Sequence, residues 1–179
     1  LMRHRHTTPF EMVEFKYHCK MPIFVARQWV RHRTANINEY SLRYSEARDE
    51  FYIPDPEHIQ FQSSLNKQGR MGEVSKNLKI KVKEYFQEIS EKSFKMYSEL
   101  NNAGVARELA RAILPVNLYT EWYWKNDLHN LLHFIGLRSD SHAQYEIRVF
   151  SDAMAKSVKE VAPFAWEAYQ DYAVGGLRF

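Results

Sequence analysis

From Phe10 to Lys20 the side chains alternate, with Val13, Phe15, Tyr17 and Cys19 against Glu14, Lys16, His18 and Lys20. Successive strand residues point to opposite faces, so this stretch specifies a half-buried β-strand. Met21-Pro22 ends it. Proline suits the first turn of a helix, and IFVARQWVRHR continues that helix to about Arg33, with Phe24, Ala26 and Val30 available for packing. The helix delivers Arg31-His32-Arg33, three adjacent side chains unfit for a core, and Ser41-Leu42-Arg43-Tyr44 follows after a polar turn. Guanidinium groups grip phosphate through paired hydrogen bonds, each charge-assisted contact contributing about 1.5–3 kcal/mol. Ser41 and the loop amides offer more donors. A solvated helix end, with cations set against the dipole, accounts for the same residues equally well.

The 179 residues are enough for about one domain that buries roughly 70% of its unfolded surface. Eleven Tyr, eleven Phe and four Trp exceed what such a core needs, which points to an interface or to stacking on flat ligands. A net charge of +3 is too weak for bulk nucleic-acid binding. The single cysteine, Cys19, excludes an internal disulfide and a thiolate cluster, fits a reducing cytoplasm, and reads as a small buried thiol. No apolar run approaches the roughly 18 residues of a membrane span, and no signal peptide is evident. The opening LMRHRHTTPFE lacks a plausible first element, so a preceding N-terminal portion is expected.

Farther along, TANINEYS reads as an ordered loop and EFYIP, at 50–54, as a second short strand. Residues 57–75, polar with two glycines, read as a mobile excursion. Leu78, Val82, Tyr85, Phe86, Ile89, Met96 and Leu100 recur at three- and four-residue steps, predicting a long amphipathic helix over 76–100 that Asn101-Asn102-Ala103-Gly104 closes. A shorter helix follows in VARELARAIL. LYTEWYWKND has no clear period, and LHNLLHFIGL predicts a helix ending near Gly136. Ser139 or Asp140 is expected to cap a helix running through Ile147, Phe150, Met154 and Val158 to Pro163, and a last helix covers about 164–174. No repeat or linker is seen. The reading is one α+β domain, with a small, mainly antiparallel sheet and several long helices.

Arg138-Ser139-Asp140-Ser141-His142 sits at a helix start, where anions bind, although a capping Asp140 beside a solvated Arg138 and His142 reads as well. His129 and His133 have metal-ligand spacing, but Asn130 stands where the HExxH motif needs glutamate and no third ligand is evident, so no metal is expected. Arg107 and Arg111 share a helix face before Leu114-Pro115.

Together these segments resemble one family. Arg31-His32-Arg33, then seven residues and Ser41, is similar to the signature of the flavin-dependent thymidylate synthases. HTTPFE, MPIFVARQWVRHR, NEYSLRY, LPVNLYT and LHFIGLRSDSHAQYEIR resemble the family's segments in family order, across nearly all of the chain outside 57–75. The resemblance implies reductive methylation of dUMP to dTMP, with methylenetetrahydrofolate as carbon donor, FAD as hydride carrier and NADPH as reductant. It also implies a cytoplasmic homotetramer with active sites shared between subunits, using neither nucleic acid nor membrane. Carried over residue by residue, Thr8, Glu11, Arg31, His32, Arg33, His133 and His142 would meet the flavin. Gln28, Glu39, Ser41, Arg43, Arg111 and Arg138 would meet dUMP. The catalytic positions are Arg138 at the pyrimidine, Ser41, more plausibly a ligand than a nucleophile, and His6 near the folate and flavin rings.

Asp127-Leu128-His129 departs from the family, which has an Asn-x-Arg flavin contact there. Cys19 lies on a strand's apolar face with no motif to activate it as a nucleophile, and the resemblance implies that reduced flavin supplies the hydride. A non-catalytic flavin- or nucleotide-binding module is the alternative, and an RNA-binding protein a more distant one that the modest charge disfavours.

Overall fold

The structure is a computed structural model that describes residues 1–65 and 67–173. Helix α1 (Thr8–Glu11) precedes strand β1 (Glu14–Pro22), which passes directly into α2 (Ile23–Trp29) and then β2 (Asn36–Glu39). A hairpin of β3 (Phe61–Gln62) and β4 (Arg70–Met71) leads to α3 (Lys76–Asn102) and α4 (Arg107–Ala110). Strand β5 (Tyr119–Asp127), α5 (Leu128–Arg138), α6 (Tyr145–Val161) and α7 (Pro163–Tyr172) complete the described chain. β5 is the middle strand of a three-stranded sheet in the order β1-β5-β2, and β3 pairs antiparallel with β4. The fold is the expected α+β mixture. Among the described residues no helix is long and apolar enough to cross a membrane.

The chain groups into two compact units, one of Leu1–Tyr17, His32–Ile37 and the residues from Trp124 onward, the other of His18–Arg31 and Asn38–Tyr123. In the first, α5 packs on α6 and on α1, and α6 packs on α7. Its core gathers Phe15, Trp124, Leu131, Phe134, Ile135, Ile147 and Val158. In the second, Met21, Val25, Trp29, Tyr97, Leu118 and Trp122 are buried, and Trp29 meets Trp122 edge to face at 5.5 Å.

Several boundaries differ from the sequence reading for identifiable reasons. β1 starts at Glu14 because Pro9 nucleates the turn of α1, and Val13 is left exposed. α2 stops at Trp29, short of the basic triplet, and buries Val25, Ala26 and Trp29 while Val30 is exposed. TANINEYS contains β2 rather than a loop; all four β2 residues are exposed, so no apolar alternation announces the strand. EFYIP contributes only an isolated bridge, Phe51 to Leu118, before Pro54 and Pro56. The 57–75 excursion contains the β3–β4 hairpin, with Asn66 outside the described residues.

α3 runs as expected and ends where Gly104 takes φ +80°, a left-handed conformation that glycine adopts without strain. Its buried positions are Ser90, Ser93 and Tyr97, whereas Leu78, Tyr85, Ile89 and Met96 are exposed. The small serines admit close approach: Ser90 Oγ donates to the Phe86 carbonyl at 2.6 Å and accepts from Asn117 Nδ2 at 3.0 Å. VARELARAIL forms only α4 and a 3-10 turn over Arg111–Ile113, so Arg107 and Arg111 do not share one helix. α5 runs to Arg138, and Ser139 is its C-cap. Gln144 stands at the N-cap of α6, which begins later than expected. α7 begins at Pro163, and residue 174 of the last predicted helix lies outside the described residues.

Candidate functional site

In the first unit, α5 organises the charged residues. Asp127 caps its first turn, Oδ1 accepting from the Asn130 amide at 2.9 Å and Oδ2 from Asn130 Nδ2 at 2.8 Å. The Asp127 carboxylate therefore holds the helix start. At the far end, Arg138 Nε donates to His32 Nε2 at 2.9 Å. The half-buried His32 ring also meets Phe134 edge to face at 4.9 Å and His133 at 6.3 Å. Burial first, then Arg138 and His133, push the His32 imidazole down to about 4, so the ring is neutral at physiological pH. Burial, then His129, lowers His133 as well.

Thr8 and Glu11 lie on α1, which packs on α5; both are exposed, as is His6 just before them. Asp140 does not cap α6. Its Oδ1 accepts from the His142 amide at 2.8 Å and lies 2.8 Å from His142 Nδ1, contacts that hold the carboxyl below its usual range. Arg33 is exposed and reaches no carboxylate among the described residues.

The second unit carries the other group. Gln28, on α2, has a buried Oε1 with no hydrogen-bond donor, an acceptor of the kind a ligand satisfies. Glu39 Oε1 accepts from Thr120 Oγ1 at 2.7 Å. Ser41 Oγ accepts from the Arg43 amide at 3.3 Å, which shapes the turn, and Arg43 Nη2 pairs with Glu108 at 3.1 Å. That pair is exposed, hence weak and exchangeable for a phosphate. Arg107 is committed to the Tyr44 carbonyl and Glu46, both at 3.2 Å. Half-buried Arg111 and exposed Arg31 reach no carboxylate among the described residues. Each unit thus bears arginines: in one, Arg138 is joined to a neutral imidazole, and the other also holds an unsatisfied amide oxygen on Gln28.

Residues 1–164 match the pattern of the family described as thymidylate synthase complementing protein. The chain belongs to that family. It is 52% identical over 181 residues to the flavin-dependent thymidylate synthase of Ruegeria pomeroyi, covering 99% of this chain and 60% of that protein. A flavin-dependent thymidylate synthase of Ehrlichia ruminantium is 52% identical over 179 residues, covering 100% of this chain and 60% of its own. The chain thus spans about six tenths of the length of these curated relatives. Among solved structures, the UMP/dUMP methylase PolB from Streptomyces cacaoi bound with 5-Br UMP superposes with a TM-score of 0.91 at 32% identity, covering 97% of this chain and 80% of that one. The same methylase bound with 5-Br dUMP gives 0.88 at 31% identity, covering 97% and 77%.

Within the family's fold, the structure brings His32, His133 and Arg138 together in one unit and places Gln28, Arg31, Glu39, Ser41, Arg43 and Arg111 in the other. Sequence reasoning missed Thr120 and Glu108, which fix Glu39 and Arg43; neither stands beside its partner in sequence. The cap at Asp127 was readable, since aspartate directly before LHNLLHF is an N-cap signal. Asp55, Glu57 and His58, neighbours in sequence, bring ligand atoms within 4.8 Å of one another; the two acids are exposed and the histidine half-buried, and exposed acidic groups are common without an ion.

Proposed function

We propose that residues 1–179 form one domain of a flavin-dependent thymidylate synthase, which converts dUMP to dTMP with methylenetetrahydrofolate as carbon donor and NADPH as reductant. The observation that carries this reading is the set of arginines at the family's ligand positions, Arg31, Arg33, Arg111 and Arg138. None of these four reaches a carboxylate among the described residues, and Arg43, also at a ligand position, holds only an exposed, exchangeable pair with Glu108. Cations left without counter-ions suit the phosphates of a nucleotide and of a flavin dinucleotide.

FAD, when bound, supplies the hydride. Arg31, Arg33, His32, His133, His142, Thr8 and Glu11 would hold it, the two exposed arginines meeting its diphosphate. Gln28, Glu39, Ser41, Arg43, Arg111 and Arg138 would hold dUMP, with Gln28 Oε1 accepting a hydrogen bond from the ligand. Arg138 faces the pyrimidine and stabilises negative charge developing on the ring. His6 orients the folate. Cys19 takes no part, because burial pushes its thiol up to about 12 and leaves no thiolate nucleophile at neutral pH.

The enzyme is a cytoplasmic homotetramer with sites shared between subunits. The exposed stripe of Leu78, Tyr85, Ile89 and Met96 on α3 supports this reading. The test is the absorption of the purified chain: a flavin spectrum that bleaches on adding NADPH, followed by dTMP when dUMP and the folate are supplied. Bound flavin or nucleotide without turnover would favour a non-catalytic binding module. A colourless protein that binds neither would overturn the proposal.

A further inference from the structure

We propose that His32 is the positioning residue for Arg138, a neutral acceptor that aims the guanidinium at the pyrimidine while leaving its charge unspent. The inference rests on the reading that Arg138 meets dUMP. Its geometry is local to one unit: Phe134 and Arg138, four residues apart, lie on the same face of α5, and both hold His32. Phe134 seats the ring and Arg138 donates to it, which assigns the His32 proton to Nδ1 and the lone pair to Nε2.

With Nε committed, Arg138 has only its two terminal nitrogens to offer, and it makes no other hydrogen bond or ion pair with the described residues. Those two form an end-on fork, so the His32 contact decides which edge of the guanidinium a substrate meets. A carboxylate in the same place would orient the arginine equally well but would cancel the positive charge that a developing anion needs. The imidazole avoids that loss only while neutral, and its depressed pKa keeps it so.

The experiment uses the whole chain as purified with its flavin, and compares His32→Phe, His32→Gln, Arg138→Ala and the double variant His32→Phe/Arg138→Ala. Phenylalanine keeps the ring contact with Phe134 and removes the acceptor; glutamine restores a neutral acceptor near the Nε2 position. His32→Met replaces His32→Phe should the latter not fold. Losing the anchor should lower kcat/KM for dUMP by roughly ten- to a hundredfold in His32→Phe, chiefly in kcat, measured per flavin-loaded chain. His32→Gln should recover most of that loss, and the double variant should be no worse than Arg138→Ala alone.

Losses that multiply in the double variant, or a glutamine no better than phenylalanine, would overturn the inference. So would full turnover per flavin-loaded chain in both His32 variants, which would make His32 a flavin ligand only. If Arg138→Ala leaves dUMP kinetics unchanged, the placement of Arg138 at the substrate fails, and the inference with it. If Arg138→Ala is inactive and His32→Phe is unaffected, the placement stands and the inference alone fails.

Discussion

Asp127 occupies a position where the family resemblance leads one to expect a flavin contact, and the structure gives it a different task. Both carboxylate oxygens are spent at the start of α5, at 2.9 and 2.8 Å from Asn130 nitrogens. Asp127→Ala removes an N-cap, which costs about 0.5–2 kcal/mol, and a negative charge at the positive end of the helix dipole, which adds about 0.3–1 kcal/mol. A loss of about 1–2 kcal/mol follows. In a chain of this size each kcal/mol corresponds to about 2–4 °C in Tm, so thermal unfolding should shift by several degrees. Asp127→Ser keeps a capping oxygen and should lose well under half as much. Asp127→Asn keeps one acceptor but turns an amide toward Asn130 Nδ2, so it should fall between the two. Flavin bound per folded chain should not change in any of them. The assay is differential scanning fluorimetry alongside absorbance of the bound flavin. An alanine variant as stable as wild type would refute the capping role, and a serine variant that keeps its stability and loses its flavin would make Asp127 a flavin contact as well.

Three further outcomes are expected. Cys19→Ala should cost about 1 kcal/mol through a small cavity in chemical denaturation and leave turnover intact, and native Cys19 should resist alkylation at mildly alkaline pH because burial raises its pKa. His32 is depressed to about 4 when folded, so the unfolded chain binds the extra proton: its contribution to stability is present above about pH 6.5 and lost as pH falls towards 4, a slope that pH-dependent denaturation should find in wild type and not in His32→Gln. Arg111→Lys should weaken dUMP binding in calorimetry with flavin content near wild type, because an ammonium cannot reproduce a two-pronged guanidinium contact; equal loss of both ligands would make Arg111 architectural.

Legibility in the sequence followed where side-chain polarity tracked burial. β1 and α6 were readable because each buries apolar residues at strand or helix spacing, Phe15 and Cys19 in one and Ile147, Met154 and Val158 in the other, although α6 also buries Glu146 and Ser151. β5 was not, although it alternates: it buries Thr120, Trp122, Trp124 and Asn126 and exposes Tyr123, so polar residues face in and an aromatic faces out. α3 was legible as a helix but not in its orientation, because its buried face is Ser90, Ser93 and Tyr97 while the apolar stripe stays exposed. A stripe that serves another surface carries the same periodicity as one that serves the core. In the candidate site, the basic residues stood out as poor core material, whereas their holders did not. His32 lies 106 residues from Arg138, and Thr120 lies 81 from Glu39, so only the fold could pair them.

If the chain places a one-carbon unit on dUMP as proposed, it does so without a cysteine nucleophile. The most direct measurement supplies the purified protein with dUMP, NADPH and methylenetetrahydrofolate labelled isotopically in its methylene group, and follows the nucleotide product by mass spectrometry. Labelled dTMP is expected from wild type and from Cys19→Ala, and almost none from Arg138→Ala. Flavin-loaded, dUMP-bound protein that oxidises NADPH yet yields no labelled dTMP would contradict it, as would a Cys19→Ala variant that folds, holds its flavin and makes none.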